Sequence, residues 1–305
     1  MANNTILLLP RPIDYSPEAL KIYQSLGTIY HKEIQEIPSE TSVIVTRLEK
    51  VSAELIQSLP NLKVVASSTT GEDHIDLEAC KRCNVEVISL QGETEFLKDI
   101  PATAEHTIGL MLALMRNTPW AFYDVLQGNW DRNRWIGHEL KRKILGIIGY
   151  GRVGKQVAKY ARVFGIGVLS YEKNEPICNL YNILEEADIV SIHISLESNN
   201  GFFGKRCFEK MKENSFLINT SRGAVVSGGA LLEVLESGKL AGAALDVVQN
   251  EPDISPELLE YAKCHQNLLI TPHSGGCTRE SMEATETFIA QKVKDYLQPN
   301  AKNNS

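Results

Sequence analysis

The chain has 305 residues, 43% of them hydrophobic, which is enough for two domains with separate cores. Its net charge of -7 excludes a general affinity for nucleic acid or for an anionic membrane, because both require a basic surface. No apolar run reaches the roughly 18 residues that span a bilayer, and the first residues, MANNTILLLPRP, lack the basic start of a signal peptide.

The first hundred residues alternate short apolar strands with helices. Ser16, Pro17 and Glu18 provide a cap, a first-turn proline and an acid for a helix that ends near Leu26. The hydrophobic pattern predicts strands at residues 6–9, 42–46, 62–66 and 85–90, and helices at residues 51–59 and 75–83. The polar loop of residues 67–71 follows the third strand, where open α/β sheets bind ligands, and its small residues leave backbone amides uncovered.

Residues 101–143 depart from this alternation. Pro101 begins a long helix, ATAEHTIGLMLALMR, whose apolar residues leave little polar face and predict burial on several sides. The next segment, QGNWDRNRWIGHELKRK, carries Trp130 and Trp135 among arginines. Such a segment suits a subunit interface, and local packing explains it equally well.

A second alternating region begins with an apolar strand that runs into a glycine turn. The G-x-G-x-x-G template is filled by Gly149, Tyr150, Gly151, Arg152, Val153 and Gly154. In this template the first glycine permits the turn, the second admits a pyrophosphate, and the third packs the following helix on the strand. The helix N-terminus then faces the phosphates. The same residues begin a triphosphate loop, G-x-x-x-x-G-K, but Gln156 stands where that motif needs Ser or Thr.

The choice of cofactor depends on Glu172. This residue closes the next strand, about 20 residues after the turn, where a carboxylate accepts hydrogen bonds from the ribose hydroxyls. Because a carboxylate would repel a 2′-phosphate, the sequence favours NAD over NADP.

The remaining pattern completes the fold prediction. Strands at residues 189–194, 215–220, 243–247 and 268–271, separated by helix-length segments, predict a doubly wound parallel sheet. A helix at residues 278–297 could return to cover the first domain, and residues 301–305 resemble a frayed tail. We predict an α/β protein of two doubly wound domains. They are a flavodoxin-like substrate domain, residues 1–99 with 279–305, and an inserted Rossmann NAD-binding domain, residues 100–278.

Three strand ends of the second domain carry polar residues that a core does not require. They are Arg222, then Asp246 with Glu251, and finally His273. Parallel strands place them on the edge that carries the glycine turn. Hydride transfer to a carbonyl needs a proton donor near neutral pH and a cation for an acidic substrate, which a histidine and an arginine supply. Each residue alone could be an ordinary loop residue, but as a set they favour an oxidoreductase, with Glu251 fixing the imidazole tautomer.

Signals for other chemistries are missing. The sequence has no G-x-S-x-G and no H-E-x-x-H, which argues against serine hydrolases and zinc enzymes. Of six cysteines only Cys80 and Cys83 form a C-x-x-C pair, so we expect no metal site and a reducing, cytoplasmic setting. Four other histidines, His74, His106, His138 and His193, are interpreted as structural or cofactor-adjacent.

At these residues the chain resembles the D-isomer-specific 2-hydroxyacid dehydrogenase family over nearly its whole length. The matching segments are LKVVASSTTGEDHIDL, ATAEHT, GIIGYGRVG, INTSRGAVV, AGAALDVVQNEP and ITPHSGG. The resemblance implies Arg222 as the substrate anchor, Glu251 as the partner and His273 as the general acid and base. It also implies that Asp246 and Thr220 contact the nicotinamide side. The amides of Thr70 and Gly71 would bind the substrate carboxylate.

Among members of that family the pattern is closest to the phosphoglycerate dehydrogenases, followed by hydroxypyruvate or glyoxylate reductases. Glu251 argues against the formate dehydrogenase branch, which carries glutamine there. Ser67 replaces a basic residue often found in phosphoglycerate-type members, so the resemblance leaves open whether the substrate is phosphorylated. A regulatory C-terminal domain is not expected, and Trp130 matches a dimer-contact position, which favours a homodimer.

The sequence thus predicts an NAD-dependent oxidoreductase that interconverts a D-2-hydroxy acid and its 2-keto acid in the cleft between the domains. The alternative is a binding protein that keeps this fold and uses NAD occupancy to control a partner, as the corepressors of the family do.

Overall fold

The computed structural model describes residues 4–31, 36–197 and 199–299. The chain divides into two compact units. Unit 1 comprises Met1–Ile100 and Cys277–Ser305, and unit 2 comprises Pro101–Gly276. Residues 301–305, predicted as a frayed tail, lie outside the described residues. Among the described helices, none is both long enough and apolar enough to cross a membrane.

Unit 1 contains a parallel sheet whose strand order is that of flavodoxin-like folds. Its strands are β1 (Asn4–Leu8), β2 (Gly27–His31), β3 (Thr41–Thr46), β4 (Val64–Ser67) and β5 (Glu86–Ile88). The order is β2-β1-β3-β4-β5, and every neighbouring pair is parallel. Strand β2 is absent from the sequence prediction. It is an edge strand that pairs only with β1 and is only partly buried, so it lacks the apolar run that identified the others.

The described part of the first hundred residues contains four α-helices. They are α1 (Pro17–Leu26), α2 (Ala53–Gln57), α3 (Leu77–Arg82) and α4 (Thr94–Leu97). The Ser16 side chain accepts a hydrogen bond from the Ala19 amide, which confirms the cap and the bounds of α1. Helix α2 is shorter than predicted, because Ser52 is its N-cap and accepts from the Leu55 amide, while Val51 forms an isolated parallel bridge with Ile75.

Unit 2 contains the second parallel sheet. Its elements are α5 (Ala102–Met115), α6 (Thr118–Leu126), β6 (Ile144–Ile148), α7 (Arg152–Val163), β7 (Gly167–Tyr171), α8 (Ile177–Glu186), β8 (Ile189–Ile192), α9 (Lys205–Lys210), β9 (Ser215–Asn219), α10 (Gly228–Glu236), β10 (Leu240–Leu245), α11 (Pro256–Cys264) and β11 (Leu268–Ile270). The strand order is β11-β10-β9-β8-β6-β7. The order reverses between β6 and β8, and open α/β sheets bind ligands at such a switch point.

Both faces of this sheet are covered, as the apolar strands predicted. On β9, Phe216 and Ile218 belong to one core cluster with residues of α5 and α7, whereas Leu217 belongs to a second cluster with residues of α8 to α11. Alternate residues of one strand therefore enter opposite cores, which is the expected consequence of the two-residue period of a strand.

The last helix, α12 (Arg279–Leu297), belongs to unit 1, which confirms the predicted return. Ile289, Ala290 and Val293 lie in the same core cluster as residues of β1 and α1. Glu286 is 1% exposed and accepts hydrogen bonds from the Ser16 amide at 2.5 Å and from Arg47 Nε at 2.6 Å. This buried carboxylate therefore links α12 to the start of α1 and to the end of β3.

Candidate active site

The turn between β6 and α7 has the geometry that the dinucleotide template requires. Gly149 has φ +100°, and a Cβ there would lie 2.6 Å from His193 O. A Cβ on Gly154 would lie 2.2 Å from Gly149 O, so the third glycine allows α7 to pack directly on the strand. At Gly151, by contrast, a Cβ would meet no atom within 4 Å. The second glycine therefore opens onto free space, where a pyrophosphate can approach the backbone.

The first turn of α7 faces this space. Gly151 is the N-cap of the helix, and the amides of Arg152, Val153 and Gly154 occupy its first turn. Burial lowers the pKa of the Arg152 guanidinium. The amide of Gly149 donates to Tyr171 O at 2.9 Å, so the turn lies beside the end of β7. Glu172 follows that strand with an exposed side chain, as a carboxylate that contacts a ribose must. These residues fit an NAD molecule.

A carboxylate and an imidazole form a close pair at the same edge of the sheet. His273 Nδ1 lies 2.6 Å from Glu251 Oε1, although the two residues are 22 positions apart. Glu251 Oε2 also accepts a hydrogen bond from the Val248 amide at 3.3 Å. Since an ionised carboxylate only accepts, Nδ1 of His273 carries the proton in this pair. Nε2 is then the ring nitrogen that can exchange a proton with a substrate.

Asp246, at the end of β10, is 2% exposed and accepts an unusual number of hydrogen bonds. Oδ1 accepts from Thr271 Oγ1 at 2.6 Å and from the Ser274 amide at 2.8 Å, and Oδ2 accepts from the Gly275 amide at 2.7 Å. His106 Nε2 lies 3.1 Å from Oδ1. Burial alone would raise the pKa of Asp246, but these hydrogen bonds outweigh it and hold that pKa well below its usual range.

Arg222 and Thr220 follow the neighbouring strand β9. Arg222 Nη1 donates to Ser221 O at 2.8 Å. A Cβ on Gly223 would lie 2.0 Å from the carbonyl carbon of Val248, so the Arg222 turn packs directly against the segment that leads to Glu251. Thr220 is 8% exposed, and its hydroxyl shares a hydrogen bond of 2.9 Å with Thr107 of α5. Arg222, Glu251 and His273 therefore follow three adjacent strands, β9, β10 and β11.

The substrate loop predicted in unit 1 follows β4. Thr69 Oγ1 donates to Gly71 O at 2.8 Å and shares a hydrogen bond of 2.9 Å with Ser67 Oγ, which in turn lies 3.2 Å from His74 Nε2. Within the described residues, the backbone amides of Thr70 and Gly71 donate no hydrogen bond. Side chains of the loop thus bond to one another, and two adjacent amides remain available to an anion.

Several site residues were given no specific role from the sequence, and two of them, His106 and His193, were interpreted only as structural or cofactor-adjacent. His106, Thr271, Ser274 and Gly275 surround Asp246, and the only signal for His106 was its place in the segment ATAEHT. His193 adjoins Gly149 and shares a hydrogen bond of 2.9 Å with Ser191 Oγ. Burial lowers the pKa of His193 to about 4, so this imidazole is neutral near pH 7. Among the described residues, no cluster of three or more His, Cys, Asp or Glu could hold a metal ion.

Fold and site together define a two-domain α/β protein with a dinucleotide-binding unit. Residues 108–275 match the family model described as D-isomer specific 2-hydroxyacid dehydrogenase, NAD binding domain. The chain is 35% identical over 295 residues to D-3-phosphoglycerate dehydrogenase from Archaeoglobus fulgidus, covering 92% of this chain and 54% of that protein. It is 32% identical over 270 residues to hydroxypyruvate reductase from Thermotoga maritima, covering 86% of each.

Comparison with solved structures points to the same family. D-lactate dehydrogenase from Aquifex aeolicus, in complex with NAD and lactic acid, superimposes with a TM-score of 0.82 at 26% identity, covering 97% of this chain and 96% of that one. The chain therefore belongs to the D-isomer specific 2-hydroxyacid dehydrogenase family, and unit 2 is its NAD-binding domain. This confirms the predicted family, fold class and cofactor. The chain spans about half the length of the phosphoglycerate dehydrogenase that it matches.

Proposed function

We propose that this protein is an NAD-dependent oxidoreductase that interconverts a D-2-hydroxy acid and its 2-keto acid. The observation that carries the proposal is the 2.6 Å hydrogen bond between Glu251 and His273 at the edge of the sheet that also bears the glycine turn. An imidazole backed by a carboxylate is a general acid and base suited to neutral pH. A protein that only sensed NAD would not need that pair beside its cofactor.

The glycine turn and Glu172 would hold NAD, which would supply or accept the hydride at C2 of the substrate. Arg222 holds the substrate carboxylate and the C2 oxygen through parallel hydrogen bonds. During reduction His273 donates a proton from Nε2 to the C2 oxygen, where alkoxide character develops. Glu251 keeps the ring oriented and stabilises its charged form. The uncommitted amides of Thr70 and Gly71 bind the carboxylate.

We assign Thr220 and Asp246 to the nicotinamide side of the site. Both follow strands of the NAD-binding sheet, at its carboxyl edge. Their side chains are nearly buried and hydrogen-bonded within the protein, so they act mainly by shaping the wall of the site.

A panel of 2-keto acids tests the proposed reaction directly. NADH oxidation is followed by absorbance with glyoxylate, pyruvate, hydroxypyruvate and 3-phosphohydroxypyruvate, and we expect turnover with at least one of them. The last two compounds differ only by a phosphate, so their ratio shows whether Ser67, in place of a basic residue, disfavours a phosphorylated substrate. Tight NADH binding without oxidation by any acid would instead support the binding-protein alternative.

Replacing Glu172 by alanine is expected to weaken NADH binding by about tenfold and to leave NADPH binding unchanged or stronger. The reason is the loss of a charge-assisted hydrogen bond to the ribose together with the loss of a repulsive charge. Fluorescence titration with both cofactors measures the two affinities. Glu185→Ala, which removes an exposed carboxylate from α8, is the matched control and should leave the ratio unchanged. An unaltered preference in Glu172→Ala would contradict the assigned role.

We further propose that the protein forms a homodimer through α6 and the segment that follows it. Phe122, Tyr123 and Leu126 are more than 60% exposed on this helix, and Trp130 is 89% exposed. Exposed aromatic residues at this density are characteristic of interfaces. Trp135 has a different role, because its Nε1 donates to Asp124 at 2.9 Å and the side chain packs locally. A second copy of the chain is the partner that we propose for this face.

The double variant Phe122→Glu with Trp130→Glu should convert a dimer into a monomer, because two charges would be buried at the interface. Light scattering after size-exclusion chromatography measures the mass. Val163→Glu, which adds one charge to an 84% exposed position of α7, should leave the mass unchanged. A wild-type monomer at micromolar concentration, or a dimeric double variant, would contradict the proposed interface.

We also propose a cytoplasmic location. Three exposed cysteines that form no disulfide among the described residues, Cys83, Cys178 and Cys264, suit a reducing compartment. Fractionation of cells that express the tagged chain tests this, and recovery outside the cytoplasmic fraction would contradict it.

A further inference from the structure

His106 of α5 lies in contact with the site but has no role in the reaction as derived above. Its Nε2 is 3.1 Å from Asp246 Oδ1 and 3.3 Å from Thr271 Oγ1. Asp246 is an ionised carboxylate that only accepts, so Nε2 of His106 is the donor. The imidazole thus binds the carboxylate from the side of α5, across 140 positions of sequence.

On its other side, Asp246 holds the turn that carries His273. Its backbone oxygen accepts from the His273 amide at 2.8 Å. Its carboxylate accepts from the next two amides, those of Ser274 and Gly275, at 2.8 and 2.7 Å. Three successive amides therefore bond to one residue, and the carboxylate can reach two of them only in one orientation.

The turn needs this restraint because His273 has a strained backbone. Its φ of +52° lies in the left-handed region, which is unfavourable for a non-glycine residue and persists only where the surroundings enforce it. The same conformation directs the ring towards Glu251, with Nδ1 at 2.6 Å from Oε1. Loss of the restraint would allow the turn to relax and the ring to leave its partner.

The contact between these groups is tight. A Cβ on Gly275 would lie 2.9 Å from Asp246 Oδ2 and 3.6 Å from His106 Cδ2. The turn is thus in close contact with the carboxylate, and the carboxylate connects His106 to the turn.

We propose that His106 is a positioning residue that orients the Asp246 carboxylate, which in turn fixes residues 271–275 and the direction of the His273 ring. This inference rests on the proposed function for its effect on rate. Its structural part, the restraint on the turn, stands independently of activity.

Two substitutions distinguish the effect of the His106–Asp246 hydrogen bond from the effect of the side-chain volume at position 106. His106→Leu keeps the volume and removes the donor, whereas His106→Gln keeps an N–H at a similar reach. We expect His106→Leu to lower the single-turnover rate of NADH oxidation about tenfold, with an unchanged amplitude and with NADH affinity within about twofold of the wild type. His106→Gln should recover most of the rate. His265→Leu, at an exposed histidine that stacks on Tyr261, is the control and should match the wild type.

A second readout does not depend on turnover. Hydrogen exchange of the Ser274 and Gly275 amides should become faster in His106→Leu and return towards the wild-type rate in His106→Gln. Exchange at wild-type rates in His106→Leu would overturn the inference, even if the protein proves inactive with every keto acid. A rate in His106→Leu within twofold of the wild type, or a glutamine variant as slow as the leucine one, would also overturn it. Loss of amplitude at an unchanged rate would indicate misfolding and would likewise count against it.

Discussion

Replacing His273 by glutamine is expected to lower turnover at least about a hundredfold while leaving NADH affinity within about twofold of the wild type. Glutamine is similar in size and can still donate a hydrogen bond to Glu251, but it cannot give up a proton near neutral pH. General acid and base catalysis typically contributes two to four orders of magnitude, so the effect should be large. Steady-state rates with the best keto acid and a fluorescence titration with NADH measure the two quantities.

Two further variants make this experiment specific. Glu251→Gln should also slow turnover, because the ring keeps a partner at Nδ1 but loses the charge that stabilises its protonated form. His265→Gln removes a histidine of the same unit that stacks on Tyr261, and its turnover should be unchanged. Near-normal turnover in His273→Gln would contradict the role of His273 as general acid and base, and the proposed function would then rest on cofactor binding alone.

Gly151→Val should lower NADH affinity and leave stability unchanged, whereas Gly154→Val should lower stability. The two glycines lie only three positions apart in one turn. At Gly151 a side chain meets no protein atom within 4 Å, so the fold should keep its melting temperature. The same side chain would fill the space that the pyrophosphate approaches, and NADH affinity should fall by at least about a hundredfold.

At Gly154 even one methyl group would lie 2.2 Å from Gly149 O and 3.1 Å from Ile147 Cγ2. Gly154→Val should therefore lower stability by about 1–3 kcal/mol or more, visible as a lower melting temperature without cofactor. Circular dichroism and NADH fluorescence distinguish the two outcomes. Wild-type NADH affinity in Gly151→Val would show that the pyrophosphate does not lie against this residue.

Local sequence determined most of the secondary structure, and the exceptions have a physical explanation. Ser16 caps α1 and the glycine template shapes the turn before α7, because both signals act within one turn of chain. Helix α6 was not identified. Its sequence, TPWAFYDVL, is apolar at nearly every position, so it does not show the one-sided pattern that marks a helix packed against its own core.

The arrangement of the site could be predicted only as far as the rule for parallel sheets extends. Because parallel strands end at one edge, Arg222, Glu251 and His273 could be assigned to a common edge from the sequence. The rule does not say which side chains touch. The contact between Glu251 and His273 depends on β10 and β11 being neighbours in register, with Ala243 opposite Leu268.

The sequence by itself determined the alternation of strands and helices, the dinucleotide turn and the identity of the reactive groups, because these depend on neighbouring residues. Only the tertiary structure decided that His106 meets Asp246 across 140 positions and that Glu286 of α12 bonds to the Ser16 amide and to Arg47. Such contacts arise from how whole elements pack, and hydrophobic periodicity specifies which face of an element is buried but not which element covers it.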